Sequence, residues 1–156
     1  LQTTYFVFSI KNHLKSFQKR EVSRKTYFVD TGIITHLSVD VDLSKLMENE
    51  VFLELRRKEG ELYYYKTKEG YEVDFLIKQG MRIGKLIQVS YANSYEDIPE
   101  REIRALLHAK EDLKLGDNVP LIVITWDYED EMEISWFGKK GRIRFIPLWK
   151  WLLRDS

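Results

Sequence analysis

Between residues 61 and 91 three strand-like stretches crowd together: Glu61–Lys66, Tyr71–Lys78 and Arg82–Tyr91, parted only by the turn sequences Lys68-Glu69-Gly70 and Gln79-Gly80. Turns that short join only antiparallel neighbours, so this stretch must be a meander. On either side lies a helical pattern. From Leu43 to Lys58, Leu46, Met47, Val51, Phe52 and Leu55 recur near the i, i+4, i+8 spacing of an amphipathic helix, with Ser44 as the expected cap and Gly60 as the stop. From Ile98 to Leu115, Ile103, Leu106, Leu107 and Leu113 share one side, and Gly116 ends the run. The unbroken apolar stretch Leu121–Trp126 then reads as a strand covered on both faces. A strand that returns after a helical crossover lies parallel to the one before it. The expected class is therefore an α/β sandwich, a mixed sheet flanked by helices.

The remaining segments fit around that frame. Thr3–Ile10 and Thr26–Val29 are aromatic and β-branched and read as strands; Glu131–Phe137 and Arg142–Ile146 form a closing hairpin; Pro147 opens a short helix, LWKWLL. In the middle strand Tyr71, Val73, Phe75 and Ile77 alternate with Glu72, Asp74, Leu76 and Lys78, which assigns Asp74 to the charged side. The chain opens on Leu1 and runs at once into an apolar strand, so it is expected to be part of a longer protein. Residues 1–25 read as a connecting segment that includes a strand, and 26–156 as the domain itself.

With 156 residues, 44% of them hydrophobic, there is enough for one substantial core. The 25 basic and 25 acidic side chains cancel, so a polyanion site would have to be local. Six cations, Lys11, Lys15, Lys19, Arg20, Arg24 and Lys25, stand against the single acid Glu21 between residues 11 and 25 and are the candidates for phosphate contact. Asp127, Glu129, Asp130, Glu131 and Glu133 form an acidic turn that would repel DNA. There is no cysteine, which removes disulfides, thiolate metal sites and thiol nucleophiles. No apolar run nears the ~20 residues of a membrane span, and a cytoplasmic location is expected. His13, His36 and His108 have no spacing suited to zinc and are expected at the surface or in loops. Gly80 to Leu86 lacks the hydroxyl residue of a phosphate-binding loop. Trp149 and Trp151, with Leu148, Leu152 and Leu153, pack the last helix on its own domain or form a docking face.

Metal-assisted cleavage of phosphodiesters needs convergent carboxylates for a hard divalent cation and a positive group beside the attacking water. Glu48 in MENEVFLEL, Asp74 in YEVDFLI, and Gln88 with Ser90 in LIQVSYA form a partial set. The order ENEVFLEL, EVDF, IQVSYA and REIRALLHA, extended by KTYFVDTGI, LIVITWDYE and PLWKWLL, resembles the PD-(D/E)XK nuclease-like domain at the C-terminal end of archaeal and bacterial AAA-type ATPases. That resemblance implies a restriction-endonuclease-like sandwich and an upstream ATPase portion in cis that holds ATP. It also implies a vestigial catalytic set of Glu48, Asp74, Gln88 and Ser90. Glu48 and Asp74 match the helix and strand carboxylates, whereas Gln88 and Ser90 stand where an active nuclease has an acid and a lysine. Gln88 brings an amide oxygen without charge, which weakens attraction for Mg²⁺ or Mn²⁺. Loss of the ammonium at Ser90 costs on the order of 10²–10³ in rate. Lys66, Lys78 and Lys85 are candidates to replace it. An accessory role binding DNA or a partner, including a further copy of the chain, is thus expected with no cofactor required; an active Mg²⁺- or Mn²⁺-dependent endonuclease and an oligomerisation module are the alternatives.

Overall fold

The computed structural model describes residues 7–13, 23–37, 40 and 42–154. One eight-stranded sheet runs through it in the order β2-β1-β3-β4-β5-β6-β8-β7. The strands are β1 (Val7–Asn12), β2 (Arg24–Phe28), β3 (Glu61–Lys66), β4 (Glu72–Gln79), β5 (Arg82–Val89), β6 (Leu121–Thr125), β7 (Asp130–Trp136) and β8 (Lys139–Pro147). The helices are α1 (Thr31–Leu37), α2 (Leu43–Lys58), α3 (Glu100–Asp112) and α4 (Leu148–Leu153).

The meander is present: β3, β4 and β5 pair antiparallel, with Gly80 at φ 62° in the tight turn. After α3, β6 lies parallel to β5, and β8 lies parallel to β6. The sheet is therefore mixed, and helices cover both of its faces. On one face, Met47, Val51, Phe52 and Leu55 of α2 pack with Phe75, Ile77, Ile87 and Ile124, joined by Leu148 of α4. On the other, Ile103, Leu106 and Leu107 of α3 pack with Val73, Leu76, Leu86 and Val123. All five residues of β6 are buried, as a strand covered on both sides requires. No helix among the described residues is long and apolar enough to cross a membrane.

Several details depart from the pattern. Helix α2 is capped by Asp42 rather than Ser44: the Asp42 carboxylate accepts from the amides of Ser44 and Lys45, and a side chain just outside the first turn reaches those donors as one inside it does not. Residues 31–37, in which His36 was expected to be in a loop, form α1. His108 is not at the surface; it is 9% exposed and packs its ring 4.7 Å from that of Tyr71. In β4 the alternation breaks. Tyr63 pairs with Leu76 but Tyr65 with Val73, so β4 carries one residue more than β3 over that stretch. Val73 and Leu76 face α3, whereas Phe75 and Ile77 face α2, which buries β4 on both sides at the point where Asp74 leaves it. The residues 11–25 read as a connector include part of β1 and the start of β2, where Lys11 lies opposite Arg24.

Candidate functional site

In the parallel part of the sheet, β5, β6 and β8 run in one direction, and their C-terminal edge is where open α/β sheets hold ligands. A cleft of about 620 Å³ opens there. Glu48, Asp74 and Ser90 line it together with Lys25, Glu72 and Glu102, and so do the first turns of α2 and α3, at Ser44, Lys45, Pro99 and Arg101. Two helix N-termini thus turn their positive ends toward a group of acids.

The register that builds the cleft is simple. Lys25 and Tyr27 are two apart on β2 and share a face; Glu48 and Phe52 are four apart on α2 and share a side. A two-residue strand step and a four-residue helix step have nearly equal lengths. Tyr27 therefore stacks on Phe52, with ring centroids 4.2 Å apart and planes 10° off parallel, while Lys25 meets Glu48 at 2.9 Å. Asn49 fixes the alignment: its side-chain oxygen accepts from the Phe28 amide at 2.8 Å, and its amide group donates to the Phe28 carbonyl at 3.1 Å and the Thr31 hydroxyl at 3.2 Å.

Lys25 is the centre of the site. Its Nζ lies 2.9 Å from Glu48 Oε1, 2.9 Å from Glu72 Oε1 and 3.1 Å from Asp74 Oδ1. Glu48 Oε1 also accepts from the Tyr27 hydroxyl at 2.7 Å, and Asp74 Oδ2 accepts from the Val89 amide at 3.0 Å. Burial alone would drive the proton off Lys25, but the charges of Asp74 and Glu48 outweigh it and hold the ammonium far above the ordinary lysine range. Burial, then the charge of Glu48, pushes the Tyr27 phenol well above its usual range, so it stays a neutral donor. Burial, reinforced by Glu48 and opposed by Lys25, pushes the Asp74 carboxyl up to about 7; burial also raises Glu102.

Asp74 consequently keeps its proton in the folded chain at pH values where the unfolded chain, with a carboxyl near 3.8, has released it. The folded state then binds more protons, and stability falls as pH rises from about 4 to about 7. Lys25 remains charged throughout and adds no slope. Between pH ~5 and pH ~7.5 we expect a decline of on the order of 1–2 kcal/mol, which Asp74→Asn flattens. Urea midpoints across that range check it; equal slopes for the two chains would contradict it.

Gln88 does not line the cleft. Its side-chain oxygen accepts from the Asp74 amide at 2.6 Å, and its amide group donates to the Glu72 carbonyl at 2.9 Å and to Glu102 Oε2 at 2.5 Å. The amide that was to offer an oxygen to a metal ties the irregular start of β4 to α3 instead. Gln88→Glu would set a second carboxylate against Glu102 and a lone pair against the Glu72 carbonyl. We expect it to cost about 2–3 kcal/mol rather than restore a nuclease site; an unchanged urea midpoint would contradict this.

Ser90 is buried at the cleft wall. Of the lysines considered as replacements for it, Lys85 pairs with Glu59 at 2.5 Å and Lys78 lies 6.0 Å over the Tyr63 ring; neither they nor Lys66 line the cleft. Lys25, grouped by sequence with the phosphate contacts, is the lysine in it. Lys15, Lys19 and Arg20 lie outside the described residues, and Lys11 and Arg24 face each other across β1 and β2. The acidic turn is largely paired, Glu131 with Arg142 and Arg144, Glu133 with Lys140 and Glu129 with Lys150. The roles of Lys25, Glu72, Glu102 and Asn49 escaped the sequence; the spacing of Lys25 and Tyr27 was the available signal.

A divalent cation does not fit this arrangement. The carboxylate oxygens that would bind it converge on an ammonium, the Gln88 oxygen is turned to a backbone amide, and no three acids or histidines among the described residues are set to hold a metal ion.

Residues 43–151 match the family described as a domain of unknown function, DUF4143. The chain belongs to the DUF4143 family. It is also 39% identical over 153 residues to the uncharacterized protein MJ1544 of Methanocaldococcus jannaschii, an alignment that covers 96% of this chain and 33% of that protein. This DUF4143 chain therefore spans about a third of the length of the curated relative it matches. Among solved structures, a chain of the assembly of Thermococcus gammatolerans McrB AAA+ hexamers with bound McrC overlays with a TM-score of 0.44 at 15% identity, over 69% of this chain and 28% of that one. An overlay that loose carries no weight for fold or role.

Proposed function

We propose that this DUF4143 domain is an accessory domain of a longer AAA-type ATPase chain, with ATP hydrolysed upstream and a nuclease-like cleft given over to binding nucleic acid or a protein partner. The motif order from ENEVFLEL to PLWKWLL supports the parentage, and the relative's threefold greater length leaves room for an ATPase portion. One observation carries the loss of hydrolysis: the Lys25 ammonium is engaged by Glu48, Glu72 and Asp74 at 2.9, 2.9 and 3.1 Å. A cation there neutralises the acids that would otherwise draw in Mg²⁺.

An active endonuclease is the second reading, and Lys25 also favours it, since it brings into the cleft the ammonium that Ser90 lacks. Supercoiled plasmid incubated with the chain and Mg²⁺ or Mn²⁺ separates the two. No nicking above the metal blank is expected. Nicking that Asp74→Ala abolishes would overturn the accessory reading. Retardation of labelled duplex and branched DNA across a salt series then tells a nucleic-acid ligand, whose binding weakens steeply with salt, from a protein partner.

A further inference from the structure

Three carboxylate oxygens, one each from Glu48, Glu72 and Asp74, lie within 3.1 Å of Lys25 Nζ, and an ammonium has three protons to give them. The acids come from α2 and β4 and the cation from the far edge strand β2, so no local pairing rule accounts for the meeting. An independent feature opens on the same space. Ser90 is only 5% exposed and lines the cleft, and its hydroxyl bonds to no group among the described residues. A hydroxyl unused by the protein in a cleft lined by carboxylates is a neutral oxygen donor. The lining is formally acidic even with the ammonium in place: Asp42, Glu48, Glu72, Asp74 and Glu102 stand against Lys25, Lys45 and Arg101.

We infer that Lys25 is a built-in cation that occupies the position of a divalent metal and closes the cleft to it. Ammonium and metal are mutually exclusive ligands of Glu48, Glu72 and Asp74. A divalent ion brought to those oxygens would lie against the charge of Lys25 in a partly desolvated pocket, where repulsion is weakly screened. With Lys25 removed, the same oxygens, with the Ser90 hydroxyl at hand, are a hard-cation donor set. The inference rests on the reading that this cleft is not a working nuclease site, and says how it was closed.

Mn²⁺ is the probe, with free ion followed by its paramagnetic resonance and the chain by thermal melting. Wild type, Lys25→Met and the double variant Lys25→Met with Asp74→Asn are compared. Wild type is expected to leave millimolar Mn²⁺ free. Lys25→Met should bind one ion roughly a hundredfold more tightly or better and melt higher with Mn²⁺ than without, and the added Asp74→Asn should abolish both effects. Equal binding by wild type and Lys25→Met would overturn the inference. So would a Lys25→Met chain that ignores Mn²⁺ or stays unfolded in its presence. Plasmid nicking by wild type would sink the functional reading separately, because the titration reports on Lys25 alone.

Discussion

Replacing Lys25 with methionine is expected to lower the unfolding free energy by about 3–5 kcal/mol near neutral pH, because breaking a buried ionic network strands its other members. The acids left behind would be Asp74, which is 13% exposed, and Glu48, which is 23% exposed; Glu72, at 41%, has water to turn to. The loss should shrink toward pH ~5, where Asp74 relieves it by keeping its proton. Lys25→Arg keeps the charge but not the shape, since a planar fork cannot point three donors at three separated carboxylates, and should fall between. Urea unfolding at the two pH values reads all of this. A cost under about 1 kcal/mol, the range of surface pairs, would mean that the cluster is no more than an exposed ion pair.

The second large effect is expected at Phe52. Its ring is 1% exposed, stacks on Tyr27 and lies 6.5 Å from that of Phe75. Phe52→Ala should cost about 3–5 kcal/mol by leaving a cavity between α2 and the sheet. The same ring holds Tyr27, whose hydroxyl donates to Glu48, so the cleft should loosen with the core. Phe137, 85% exposed at the tip of the β7–β8 hairpin, is the matched control: Phe137→Ala should stay within about 0.5 kcal/mol of wild type. Equal losses at the two positions would contradict the placement of the core.

What the sequence made legible is what periodicity and turns encode. Helix α2 runs over Leu43–Lys58 as its spacing required, the meander pairs as its short turns required, and β6 is buried on both faces as an unbroken apolar run must be. Helix α1 was missed because Thr31, Ile33, Ile34 and Thr35 are β-branched and Gly32 sits among them, all poor helix formers; tertiary contact, through Asn49 and Thr31, outweighs propensity there. Asp74 was assigned to the charged face by strict alternation, yet its setting depends on an extra residue in β4 that no pattern marks. Glu48 and Asp74 line one cleft. The group joining them was illegible for a physical reason. Lys25 lies on β2, at one edge of the sheet and far from either acid in sequence, and in a run of six cations only its two-residue spacing from Tyr27 marks it as the one that turns inward.

Whether the Lys25 ammonium is locked among Glu48, Glu72 and Asp74 is read by a lysine-selective nitrogen NMR titration. Exposed lysines lose their proton near pH ~10.4. The Lys25 Nζ resonance, assigned by its absence in Lys25→Arg, is expected to remain that of a protonated amine through this range, with ammonium protons slow to exchange with water. A Lys25 resonance that titrates with the exposed lysines would contradict the clamp.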